Sequence, residues 1–225
     1  MQYFSDSERG SLPRTKNDIS HNVWCGIVSY INTLVDKGYF GNSFPELCPD
    51  GQGCYGTNEA SFSAALKAEI LEVDWPLLIE KDEDPDGWSS SKVTFTPDYL
   101  VILDLIQFCF QHVSKPEQGT LHSYWGHHHL ISFDVEIGTQ EFLERINTIF
   151  SRNGLAYTLK ADGQIARILS APLSQVVERA ISTSDFELND LISSASGRIT
   201  NSDVKIRYDA LKDLWDGWER MKTLY

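Results

Sequence analysis

The chain has 225 residues, 41% of them hydrophobic and 12% aromatic, which excludes a wholly disordered polymer and allows one substantial core. Its 19 basic and 32 acidic residues give a formal charge of −13, which repels a phosphate backbone on average, so direct nucleic-acid binding is not expected. The longest apolar run, YLVILDLIQFCF, is broken by Asp104 and Gln107 and is too short and polar to span a bilayer.

The opening residues carry Arg9, Arg14 and Lys16 without a dense basic face and read as a solvated arm. From Ser20 to Asp36, Val23, Trp24, Ile27, Ile31, Leu34 and Val35 recur at helical spacing, and Gly38 supplies a stop signal. The following YFGNSFPELCPDGQGCYG mixes turn dipeptides with aromatics and predicts a structured loop held on the core. Thr57 is the expected N-cap of a short helix whose inner face is Phe62, Ala65, Leu66 and Ile70. EKDEDPDGWSSSK then reads as a mobile acidic excursion.

TPDYLVILDLIQFCFQHV places Pro97 in a helical first turn, and its almost all-round apolar character predicts the most buried helix, over 97–113. A helix over 139–152 should start at Thr139 with Glu141, bury Phe142, Ile146, Ile149 and Phe150, and stop at Asn153-Gly154. LAYTLK and QIARIL alternate around Asp162-Gly163, which signals a β-hairpin. The fold class expected is therefore α+β, a mostly helical single domain with one hairpin at about 155–169 packed on helices 97–113 and 139–152.

The remainder, PLSQVVERAI, DFELNDLISSA and SDVKIRYDALKDLWDGWERMKTLY, is helical in pattern. Its last stretch carries Trp215 and Trp218 on an apolar stripe with no stop signal, which predicts either a helix that closes the domain core or, the favoured reading, a natural polypeptide continuing past Tyr225, with a homodimer interface on Trp215 and Trp218 as a further alternative. Cysteines 25, 48, 54 and 109 form no CxxC pair and read as reduced thiols. With no secretory leader pattern at the start, the expected compartment is the cytoplasm.

Four of the six histidines lie within GTLHSYWGHHHLISFD, at 122, 127, 128 and 129. The simplest reading has the imidazoles bonding backbone groups where a glycine-marked turn enters the core, with Tyr124 and Trp125 as packing partners. A second makes His122, Tyr124, Trp125, His127, His128 and His129 a recognition surface, since polar and aromatic loop residues are common seats of function. A third is a metal site. In extended chain His127 and His129 share a side while His128 points away, His122 can join from the preceding turn, and Cys48 and Cys54 of CPDGQGC are further candidates for zinc. No diagnostic ligand spacing is present, so no cofactor is expected, and a metal-dependent hydrolase built on His122, His127 and His129 stays an alternative function. Hydrolase elbows, phosphate-binding loops and dinucleotide fingerprints are absent, and no catalytic residue is assigned.

Taken in order, YFSDSERGSLPRT, NVWCGIVSYINTLV, FPELCPDG, SYWGHHHLISFD, FLERINTIFSRNGLAYTLKADGQIARI and LKDLWDGWERMKTL resemble the AbiJ-type N-terminal domain of bacterial abortive-infection proteins. The resemblance implies a sensor or regulatory domain over 1–170 and a helical extension over 171–225 leading to a C-terminal HEPN-type ribonuclease effector in the same natural polypeptide, with a phage-derived trigger. It implies a non-catalytic piece, because the only match here to the Arg-x4–6-His signature of such effectors is Arg14 to His21, across a TKNDIS turn that keeps the two side chains off a common helical face.

Overall fold

The computed structural model describes residues 3–51, 53–83, 91–168, 183–201 and 203–224. Among them run, in chain order, α1 (Phe4–Arg9), α2 (His21–Asp36), β1 (Pro45–Leu47), β2 (Cys54–Thr57), α3 (Glu59–Glu69), β3 (Glu80–Asp82), β4 (Lys92–Thr94), α4 (Tyr99–His112), β5 (Lys115–His122), β6 (His127–Asp134), α5 (Val135–Arg152), β7 (Tyr157–Leu159), β8 (Ile165–Arg167), α6 (Phe186–Arg198) and α7 (Val204–Leu224). The α+β class expected from the sequence holds. The helix expected in PLSQVVERAI and the boundary expected at 170 fall outside the described residues.

The chain divides into two compact units, one of residues 18–149 and 161–164, the other of 1–17, 150–160 and 165–225. In the first, the stripe read from the sequence of α2 is the buried one: Val23, Trp24, Ile27, Ile31, Leu34 and Val35 are all inside. α4 buries eight residues from Val101 to Phe110. Each large apolar side chain removed from water contributes roughly 1.5–3 kcal/mol, which makes α4 the main apolar element of this unit. Phe62 of α3 meets Phe40, Phe44, Phe108 and Trp75 at centroid distances of 4.9–5.7 Å, so the stretch expected as a loop is pinned to the core by its own aromatic rings, although it is not all loop, since β1 and β2 pair within it. Trp24 completes the packing and donates its indole N–H to the Leu78 carbonyl at 2.9 Å.

Helix starts differ from the sequence expectation in an instructive way. Asn58, not Thr57, caps α3 by accepting from the Ser61 N–H at 2.8 Å, because Thr57 is still paired in β2. Asp98 caps α4 through the Leu100 N–H, leaving Pro97 just outside the helix. α5 begins four residues early: Asp134 accepts from the Ile137 N–H at 2.8 Å, and Thr139 is an interior residue bonding back to the Val135 carbonyl.

The same unit holds a sheet beyond the single expected hairpin, antiparallel throughout and ordered β1-β2-β6-β5. β5 and β6 pair along most of their length, with register shifts around Gln118. β2 joins β6 through the Cys54–Leu130 pair alone. Part of the acidic excursion is ordered, since Glu80–Asp82 pairs with Lys92–Thr94.

In the other unit the expected hairpin is β7 paired with β8, and Tyr157 packs on Phe150 of α5 at 6.3 Å. The opening segment is not a solvated arm. It forms α1, and Arg14 donates to the carbonyls of Leu155 and Tyr157, so its charge serves the fold. α6 and α7 make a helical hairpin in which Leu188 and Ala195 face Ala210 and Gly217. Asp185 caps α6 and pairs with Arg220 through two hydrogen bonds of 2.7 and 2.8 Å.

Candidate metal centre

β5 and β6 are joined by a four-residue loop, 123–126, closed by the Trp125 and Gly126 N–H groups on the His122 carbonyl. Gly126 sits at φ +71°, a conformation that costs a residue with a Cβ and that this tight reversal requires. The turn sets His122 opposite His127 in the ladder, and strand alternation puts His129 on the same side as His127. The neighbour His128 is turned away, its Nδ1 2.9 Å from the Gly119 carbonyl.

Across the seam, the loop between β1 and β2 is closed by the Cys48 N–H on the Gly53 carbonyl at 2.8 Å and the Gly51 N–H on the Cys48 carbonyl at 2.9 Å. That folding buries Cys48 and aims it at the histidines, and its Sγ lies 3.6 Å from His122 Nδ1. One ligand atom from each of Cys48, His122, His127 and His129 lies within 4.8 Å of all the others. The imidazole centroids stand 5.1–5.7 Å apart, and Tyr55 stacks on the outer face of His127 at 4.2 Å. Asp50 stands beside the group, 3.3 Å from His122 Nδ1.

The polar bookkeeping inside the cluster does not close. His127 Nε2 and His129 Nε2 are both buried, and among the described residues neither has a hydrogen-bond partner. A buried polar nitrogen left in this way costs roughly 1–3 kcal/mol, and native structures hold few of them. Burial, then the neighbouring His129 and His122, hold the His127 imidazole below its ordinary range. Burial and the Asp50 carboxylate hold the Cys48 thiol above its own.

The structure thus divides the histidine segment by role. His122, His127 and His129 converge with Cys48. Cys54, the other cysteine named from the sequence, stays out, its thiol directed to the Gly56 carbonyl at 3.2 Å. Tyr124 and Trp125 stack edge to face at the loop tip, 82% and 46% exposed. Asp50 was not singled out in the sequence, although its place two residues after Cys48 in CPDG was a usable signal. Of the Arg14–His21 pair, Arg14 is bonded to the carbonyls of Leu155 and Tyr157, and the two ring nitrogens of His21 face Thr96 Oγ1 at 3.1 Å and Cys25 Sγ at 3.4 Å. Trp215 and Trp218 remain 63% and 52% exposed on α7.

Fold and site together define an α+β domain with a Cys/His cluster at a sheet seam and an aromatic loop at the end of the adjoining hairpin. The model of the AbiJ N-terminal domain 4 family matches residues 2–183, and the chain belongs to that family, which associates it with abortive infection. The matched residues include the whole cluster and the loop tip, whereas α6 and α7 lie beyond them. No curated protein and no solved structure matches the chain. Among the described residues, no helix is long and apolar enough to cross a membrane.

Proposed function

We infer that this chain is the non-catalytic sensor or regulatory part of a bacterial phage-defence protein, acting in the cytoplasm on a HEPN-type ribonuclease effector carried by the same natural polypeptide. The observation that carries this reading is the membership of residues 2–183 in the AbiJ N-terminal domain 4 family. The site geometry supports it. The exposed part of the histidine segment is a pair of aromatic rings on a tight loop, a form suited to contact with a macromolecule. The four cysteines are free thiols, which fits a reducing compartment.

The hydrolase alternative finds less support. A catalytic zinc keeps one position for water, and four protein donors converging on one point would fill it. The interaction-module alternative has a specific observation behind it, since Tyr208, Leu211, Trp215 and Trp218 of α7 are all more than half exposed. Large exposed apolar faces of this kind mark contact sites, so a homodimer or an effector contact through α7 is compatible with the regulatory reading.

The test is phage challenge of cells carrying the natural gene, with Tyr124→Ala/Trp125→Ala as the perturbation. Loss of protection at unchanged protein abundance is the expected result, and the purified chain should leave RNA intact. RNA cleavage by the purified chain that disappears in His127→Ala/His129→Ala would overturn the reading.

A further inference from the structure

We propose that Cys48, His122, His127 and His129 bind one zinc ion in a closed, structural site that staples the β1–β2 loop to the β5–β6 hairpin.

The donor set selects the metal. One thiolate and three imidazoles form the mixed sulfur and nitrogen set that suits zinc and does not suit the oxygen-seeking magnesium or calcium. The spacing suits it as well. With Zn–S near 2.3 Å and Zn–N near 2.05 Å, a tetrahedral site places sulfur and nitrogen about 3.6 Å apart, and the Cys48 Sγ to His122 Nδ1 separation is 3.6 Å. Charge balances too, because a dication facing the Cys48 thiolate with the Asp50 carboxylate beside it leaves a neutral, half-buried centre.

Two observations independent of the donor count point to a missing partner. Among the described residues the buried His127 Nε2 and His129 Nε2 have nothing to bond, and a coordinated metal removes that deficit. The ligands also straddle the place where the sheet is weakest. β2 meets β6 through one residue pair, Cys54–Leu130, and the cluster lies across that seam, with Cys48 on one side and three histidines on the other. A bond from each side to one ion would do there what a longer ladder does elsewhere.

The experiment is elemental mass spectrometry on untagged, reduced protein dialysed against a weak chelator, with melting curves recorded before and after stripping by a strong one. One zinc per chain is expected, with a fall in melting temperature on stripping that added zinc restores and added magnesium does not. Cys48→Ser and His129→Ala should lose the ion, and His128→Ala and Cys54→Ser should keep it. Should the ligand variants fail to fold, cobalt titration of the stripped wild-type chain gives the answer, since a tetrahedral site with one thiolate shows intense visible bands and a sulfur-to-cobalt charge-transfer band. Absence of zinc together with absence of that spectrum would overturn the proposal, as would undiminished zinc in Cys48→Ser/His129→Ala.

Discussion

Two helical glycines in the same unit allow a sharp test of how β5 is held. Gly26 of α2 has open space where a Cβ would stand, and Gly138 of α5 does not: there a Cβ would lie 2.5 Å from the Lys115 nitrogen and 2.6 Å from Ser114 Cα. Both Gly→Ala changes gain about 0.8–1.0 kcal/mol of helix propensity. At Gly26 nothing opposes the gain. At Gly138 the obstructing atoms are backbone at the start of β5, and restoring ordinary contact requires about 1 Å of movement between helix and strand. Overpacking typically costs 1–3 kcal/mol, and rigid backbone puts this site towards the upper end, a net loss of about 1–2 kcal/mol. The two variants should therefore differ by about 2–3 kcal/mol, or about 4–12 °C in melting temperature for a chain of this length. Thermal and urea denaturation followed by far-ultraviolet circular dichroism give the comparison. If Gly138→Ala melts with Gly26→Ala, the close approach of α5 to β5 is not a constraint and the reasoning fails.

Trp24→Phe should destabilise by about 1–3 kcal/mol in urea titrations, because it leaves the Leu78 carbonyl without its donor inside the core. Arg14→Met should cost about 1.5–3 kcal/mol by the same assay, whereas a solvated arm would predict no change. Burial holds the His112 imidazole below its ordinary 6.5, against the opposing pull of Glu69, so the unfolded chain takes up the proton first. The stability this group contributes is present above 6.5 and is lost as pH falls from there towards the folded value. His112→Phe, filling the space between Phe44 and Phe108, should flatten that part of the stability–pH curve, and parallel curves for the two proteins would contradict the assignment. Tyr124→Ala/Trp125→Ala should leave the melting temperature within about 0.5 kcal/mol equivalent of wild type, as expected for exposed loop residues.

The helices were legible because their signal is local. In α2 apolar side chains repeat at the period of the helix and bury on the face that the repeat defines, and in α4 they are apolar almost all round and bury accordingly. The β5–β6 hairpin was not legible, and its composition explains why. Its convergent positions are held by His122, His127 and His129, where a half-buried strand ordinarily carries valine or isoleucine, and β5 contains Pro116 and Gly119. A hydrophobic pattern cannot register a strand whose inner face is imidazole. The cluster was half legible for a related reason. Alternation separated His128 from its neighbours, but Cys48 reaches them only after a chain separation of 74 residues has been closed by β2 pairing with β6.

That inversion of pattern bears on why the site exists. A two-stranded hairpin is marginal by itself, and the β5–β6 pair has few large apolar side chains with which to hold its distal half: Leu130 is buried, while Leu121 and Ile131 are exposed. The distal half nevertheless ends in Tyr124 and Trp125, both exposed. An aromatic contact loop discriminates between partners only if its support holds still, because every rotamer or strand frozen on binding subtracts from affinity. Coordination at His122 and His127, the residues flanking the loop, would fix it at its base without apolar packing. Metal content and phage protection should then be separable: the aromatic pair can be removed with zinc retained, whereas removing Cys48 should loosen the loop and lower protection while both rings remain.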